Sequence, residues 1–244
     1  MKGYYSKWQK VDSIPELRDN EVHVWRVVLN SGSPGIAALL EHLSEEEIAR
    51  AERFRRHGDR LRFVTARARL REIIGSYSGL SPRDIRIGKH ERGKPYIAHP
   101  EGKHPEFNIS HSGKLILMAF TRNRRIGIDV ERYRSLDNAT KIMKRFFSRE
   151  EADYYRNCND DMKKSTFFKL WTAREAYVKA VGRGAAVSRK DIPVSLLTDG
   201  RQRTLRTNDE NQDNWYFFNL DASPEYEAAL AVQGDGFVTM FMEL

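Results

Sequence analysis

Ile126, Ile128 and Val130 alternate with Gly127, Asp129 and Glu131, so this segment reads as a strand with one apolar face and both acids on the other. A looser alternation over 22–29 predicts an earlier strand, broken by the run Ser31-Gly32-Ser33-Pro34-Gly35. The period then becomes helical. Ser44 and Glu47 form an S-x-x-E capping box, with Leu43 and Ile48 placed as its hydrophobic staple. Phe63, Ala66, Leu70, Ile73, Ile74 and Tyr77 recur at helical spacing, with Arg60, Arg62, Arg67, Arg69 and Arg71 around them, which predicts a basic amphipathic helix. Ile85 and Ile87 suggest a short strand and Gly93-Lys94-Pro95 a turn. Residues 107–109 suggest a strand ending in Ser110-His111-Ser112-Gly113, and 115–120 a buried strand.

The polar run 121–125 is the natural boundary between two halves, 1–122 and 123–244. Beyond it, Ser148 with Glu151 makes a second capping box, flanked by Phe147 and Ala152, and predicts a helix over 149–156. A longer helix is expected over 164–181, stopped by Gly182 and Gly184. Residues 194–197, 215–220 and 237–241 then read as strands.

Composition narrows the class. The chain has 244 residues, 40% of them hydrophobic, enough for a real core. Its formal net charge of +8 favours polyanionic partners: nucleic acid, acidic proteins or phosphorylated small molecules. A single cysteine, Cys158, excludes an internal disulfide framework and fits a reducing compartment. Residues 1–10 lack an apolar core, and no run approaches the roughly 18 apolar residues of a membrane span. The expectation is a cytoplasmic protein without membrane association.

Three carboxylates and a lysine carry the candidate chemistry. Asp129 and Glu131 lie roughly 6.5 Å apart along a strand, close enough to converge on one hard cation. Trp171, Glu175 and Lys179 share a helix face at i, i+4, i+8. A solvated strand face and a surface ion pair are the ordinary readings of these two patterns. Phe167, Phe168, Leu170 and Trp171, however, place Glu175 at the edge of a packed surface, where it could complete the shell begun by Asp129 and Glu131. Ser110 and His111 offer hydroxyl and imidazole donors to a phosphate oxygen. A serine nucleophile is disfavoured because no G-x-S-x-G elbow surrounds Ser110.

Taken in order, Gly93-Lys94-Pro95, Phe107-Asn108-Ile109-Ser110-His111-Ser112, Gly127-Ile128-Asp129-Val130-Glu131, Phe146-Phe147-Ser148-Arg149-Glu150-Glu151 and the stretch 171–179 resemble the Sfp-type 4′-phosphopantetheinyl transferases, cyanobacterial and related bacterial members most of all. The resemblance spans about 44–188. It implies an α+β fold of two pseudo-twofold related α+β halves, with coenzyme A in the cleft between them. The implied reaction moves the phosphopantetheine arm of coenzyme A onto a serine of an apo acyl or peptidyl carrier protein. The same resemblance implies Mg2+ held by Asp129, Glu131 and Glu175, with Glu175, Lys179 and His111 as catalytic residues. Contacts to coenzyme A would come from Arg50, Gly93, Lys94, Pro95, Asn108, Ser110, His111, Asp129, Glu175 and Lys179. The partners would be coenzyme A and acidic carriers, served by a monomer. Three positions depart from the family pattern: Glu47 where some relatives carry lysine, Arg174 for the lysine usual before the helix glutamate, and Phe63 at a position sometimes hydroxylated. Competing readings are a metal-dependent pyrophosphohydrolase and, from the arginines over 50–71, a nucleic-acid-binding protein.

Overall fold

The computed structural model describes residues 7–29, 35–99, 104–182 and 214–244, and the strand backbone of 202–206. The first half contains β1 (Gln9–Lys10), β2 (Glu21–Val28), α1 (Ile36–Leu40), α2 (Glu45–Glu52), α3 (His57–Ser78), the hairpin β3 (Arg86–Lys89) and β4 (Pro95–His99), then β5 (Glu106–Ser112) and β6 (Leu115–Thr121). There follow β7 (Ile126–Arg132), α4 (Ala139–Phe146), α5 (Arg149–Asn157), α6 (Asp160–Val181), β8 (Gln202–Arg206), β9 (Asn214–Leu220), β10 (Tyr226–Gln233) and β11 (Val238–Glu243). The strands form one sheet in the order β1-β11-β2-β6-β5, a second in the order β7-β10-β9-β8, and the separate β3-β4 hairpin. The architecture is α+β.

Alternation along the strands sets the layers. Val22, Val24, Leu115, Leu117 and Ala119 of the first sheet face Ile126, Ile128, Val130, Leu230 and Val232 of the second, so both sheets share one core. On its other face the first sheet packs Trp25, Ile116, Met118 and Phe120 against Leu70, Ile73 and Ile74 of α3. The second sheet presents Phe217, Ala229 and Ala231 to Ala173, Ala176 and Ala180 of α6. Gly127, Asp129 and Glu131 therefore point toward α6.

The two halves repeat a local device. Both expected capping boxes form, Ser44 with Glu47 and Ser148 with Glu151. Each opens a short helix that precedes a 22-residue helix ending at a left-handed glycine, Gly79 (φ 68°) or Gly182 (φ 70°). The fifteenth residue of each long helix is a buried arginine that reaches back to the capping-box glutamate: Arg71 Nε to Glu47 Oε2 at 2.6 Å, and Arg174 Nη2 to Glu151 Oε2. Glu47 thus has a structural task that explains why no lysine stands there.

Four expectations need correction. Four of the five arginines expected on a basic amphipathic face of α3 are paired with acids: Arg67 and Arg71 with Glu47, Arg62 with Asp59, and Arg69 with Glu72. Apolar positions on α3 feed two separate clusters, so the helix is buried on more than one side. The β5 strand continues through Ser112, which puts Ser110 and His111 within a strand and not beyond its end. The last strand, assigned to the second half by a division at 122, joins the first sheet: β11 pairs parallel with β2, and Arg26 pairs with Glu243. Finally, β10 was unforeseen because its Ala228, Ala229 and Ala231 favour helix intrinsically. Burial on both faces overrides that preference. The strand expected over 194–197 and the stop at Gly184 lie outside the described residues.

Candidate functional site

Where the sheets meet, β5 and β7 are joined by side chains. Asn108 Oδ1 accepts from Ile128 N at 3.0 Å, Ser110 Oγ from Val130 N at 3.3 Å, and Ser112 Oγ from Arg132 N at 3.0 Å. Every second residue of one strand serves every second residue of the other, in one constant offset. Since pleating sends alternate side chains to the same side, the small polar composition of the segment is what lets two edge strands lie together. The register places Ser110 beside Asp129 and Ser112 beside Glu131: the hydroxyls donate to the carboxylates at 3.0 and 3.2 Å.

Lys179 closes this junction from α6. Its Nζ donates to Asp129 Oδ1 at 2.7 Å, Ser110 Oγ at 2.9 Å and Ile128 O at 3.2 Å. The ammonium thereby uses all three of its protons on two strands. α6 can approach this closely because residue 127 is glycine: a Cβ there would collide with the backbone of Ala176 and Ala180. Helix periodicity predicted that Glu175 and Lys179 share a face, and Lys179 turns to Asp129.

Asp129 is 5% exposed, and its Oδ2 has no hydrogen-bond partner among the described residues. Burial, and then the adjacent Asp129 carboxylate, push Glu131 above the usual carboxylate range. A buried oxygen without a donor beside a second carboxylate strained by like charge is a donor set suited to a hard cation. Among the described residues no three His, Cys, Asp or Glu side chains are gathered at the spacing of a metal site. His111 is exposed at the rim on the same strand. Desolvation, followed by the charges of Arg62 and then Lys179, lowers its pKa from the ordinary histidine value. Arg62 escaped the sequence reading as one arginine among several. Its Nη1 donates to Gly113 O at 3.1 Å and so holds the turn after β5.

The remaining candidates lie further out. Gly93 (φ 87°) makes the hairpin turn, closed by its N–H to His90 O at 2.8 Å, and Pro95 opens β4. Lys94 Nζ reaches Ala180 O at 3.2 Å and Glu106 Oε2 at 3.4 Å, bridging the hairpin to the last turn of α6. Beside it opens a cavity of about 960 Å³, lined by Arg92, Lys94, Glu106, Arg124, Arg125 and Gly182 among others. Arg50 stays on α2 with its guanidinium 5.0 Å over the Phe63 ring. Trp171 stacks on Phe167 in the aromatic cluster below Glu175, with ring planes 9° apart.

In this two-half α+β protein a lysine, hydroxyls and paired carboxylates meet between the sheets, groups whose chemistry suits phosphate oxygens and a hard cation. Residues 31–123 match the family model described as 4′-phosphopantetheinyl transferase, N-terminal, and 125–231 that of the 4′-phosphopantetheinyl transferase superfamily. The chain is 35% identical over 226 residues to the 4′-phosphopantetheinyl transferase HetI of a Nostoc species, covering 92% of this chain and 93% of that one. It is 29% identical to the transferase Sfp of Bacillus subtilis over 81% of this chain and 85% of that one. It is 33% identical to psf-1 of Bacillus pumilus over 71% and 72%. The chain belongs to the 4′-phosphopantetheinyl transferase superfamily.

Proposed function

We propose that the protein transfers the 4′-phosphopantetheine moiety of coenzyme A to a serine of an apo carrier protein, releasing adenosine 3′,5′-bisphosphate. The observation that carries the site assignment is the junction of Lys179, Ser110 and Asp129, with Asp129 Oδ2 left without a donor. Coenzyme A would lie in the cleft between the halves, its diphosphate toward Lys179, Ser110 and His111 and its nucleotide toward Arg50 and the Gly93-Lys94-Pro95 turn. Asp129, Glu131 and Glu175 would hold Mg2+, which when bound neutralises charge developing on the leaving phosphate.

The chain's own groups then have distinct tasks. Glu175 accepts the proton of the carrier serine as its oxygen bonds to phosphorus, while the bond from that phosphorus to the departing adenosine bisphosphate breaks. His111 donates a hydrogen bond to a phosphate oxygen. Lys179 neutralises the diphosphate, exchanging part of its tie to Asp129. The surplus of +8 speeds encounter with acidic carriers, and we place the enzyme in the cytoplasm as a monomer. Arg67, Arg69 and Arg71, three of the arginines over 50–71 that suggested a nucleic-acid partner, are paired internally, which weakens that reading.

Incubation with an apo carrier, coenzyme A and Mg2+ is expected to raise the carrier's mass by one phosphopantetheine, and a chelator to abolish the shift. Unmodified carriers across a panel from fatty acid, polyketide and nonribosomal peptide systems would reject the proposal.

A further inference from the structure

Arg174 has a place in the fold that its neighbour Glu175 does not share. It is 1% exposed. Its Nη2 pairs with Glu151 of the α5 capping box, its Nη1 lies 3.5 Å from Phe146 O, and its Cζ sits 4.9 Å over the Phe147 ring. One guanidinium thereby touches the end of α4, the start of α5 and the middle of α6. A lysine, being a point charge, could keep the ion pair but not the planar contacts.

Stability does not require such a pair. Replacing a buried ion pair by apolar side chains is often neutral or stabilising, because desolvation offsets the attraction. What the pair supplies is direction. Arg174 and Glu175 are adjacent, hence about 100° apart around α6. Anchoring Arg174 to α5 therefore fixes the rotation of α6 on which the direction of Glu175 depends. On the opposite side α6 is seated on Gly127 through Ala176 and Ala180. A roll of about 20° would carry a carboxylate about 5 Å from the helix axis through about 2 Å.

We infer that Arg174 is a positioning residue, whose buried pair with Glu151 sets the rotation of α6 and so the aim of Glu175 into the site; this rests on the role given to Glu175 above. The first half supplies an internal control. Arg71 and Glu47 make the equivalent pair, but the residue after Arg71 is Glu72, which binds Arg69 at 2.6 Å and faces His42 at 3.1 Å.

The wild-type enzyme is assayed first, since Mg2+-dependent loading of a carrier must be present before any variant is read. The double variant R174M/E151Q then removes both charges while glutamine preserves the capping box. Its kcat is expected to fall about 10- to 100-fold, as for a misplacement of about 1 Å. KM for coenzyme A should stay within about twofold and the far-UV spectrum and cooperative melting should be retained. R71M/E47Q should alter melting without that loss of kcat. R174K, which keeps the charge pair, should recover most of the rate. A folded R174M/E151Q turning over at the wild-type kcat, or a drop in R71M/E47Q as large, would overturn the inference. Should the double variant not fold, E151Q alone is read by the same split between kcat and KM.

Discussion

At Asp129 two demands meet, since one carboxylate oxygen is bound by Lys179 and Ser110 and the other is buried without a donor among the described residues. The pair of acids was legible because strand alternation has period two, and Glu175 with Lys179 because helix faces repeat every four residues. That Lys179 would turn to Asp129 was not, since periodicity says which side chains share a face and nothing about what lies opposite. Glu175→Gln is expected to lower kcat by about 100-fold or more, the range for removing a general base being about 100- to 10,000-fold. Near-UV and far-UV spectra should stay those of a folded protein, and a wild-type rate in this variant would refute the role given to Glu175. Asp129→Ala should raise the Mg2+ concentration needed for half-maximal rate, measured by titrating the ion into metal-stripped enzyme.

Among the elements, α6 and β7 depend most on a single missing side chain. Gly127→Ala forces a Cβ into the backbone of Ala176 and Ala180, neither of which is a flexible side-chain end. A loss of about 1–3 kcal/mol is expected, typical of overpacking, together with reduced activity as α6 lifts from the strand. Denaturant unfolding checks the first and carrier loading the second. Capping boxes and the principal helices could be read from local pattern because their signals lie within a few residues. β10 could not, because its strand state comes from neighbours on both sides and its alanines are chosen for the close approach of α6. α1, α4, β1, β4 and β8 also went unpredicted, all of them short.

A second element-level device lies under α3. Trp25 Nε1 donates to Tyr77 Oη at 2.9 Å, so the Tyr77 hydrogen serves His23 Nδ1 at 2.7 Å, and His23 Nε2–H serves Glu21 Oε2 at 3.1 Å. His23 is fully buried, and that burial lowers its pKa despite the opposing pull of Glu21. A lowered histidine contributes stability that is present above its unfolded pKa, about 6.5, and lost as pH falls from there toward its folded value. Melting temperature should decline as pH drops below about 6.5, and His23→Gln should flatten that slope while lowering stability at pH 7. Glu21, itself held below the usual carboxylate range chiefly by the Arg18 N–H and His23 against the effect of burial, acts at lower pH.

Over the whole molecule, a division into two halves was expected from the polar run at 121–125 and from the family resemblance, and the closure of the first sheet by β11 was not. We treat 1–122 and 123–237 as the two halves, with β11 counted in the first sheet. Nothing in residues 237–241 marks their partner as a strand more than 200 positions earlier, for a parallel pairing leaves no turn signal between its members. Deleting 238–244 should leave Val24 and Trp25 on an uncovered edge and yield a protein that precipitates or melts without cooperativity; a soluble, cooperatively melting product would contradict this.

The placement of β11 also orders events during synthesis. A ribosome releases the N-terminal sheet with the position between β1 and β2 vacant, and the gap is filled only when residues 238–243 emerge, more than 200 positions after β2. Until then β2 exposes an open edge, so the nascent chain must be shielded or must fold quickly once β11 emerges. A ribosome stalled shortly before residue 238 would therefore hold a chain that proteases still cut within β2, and emergence of residues 238–243 would abolish that cleavage.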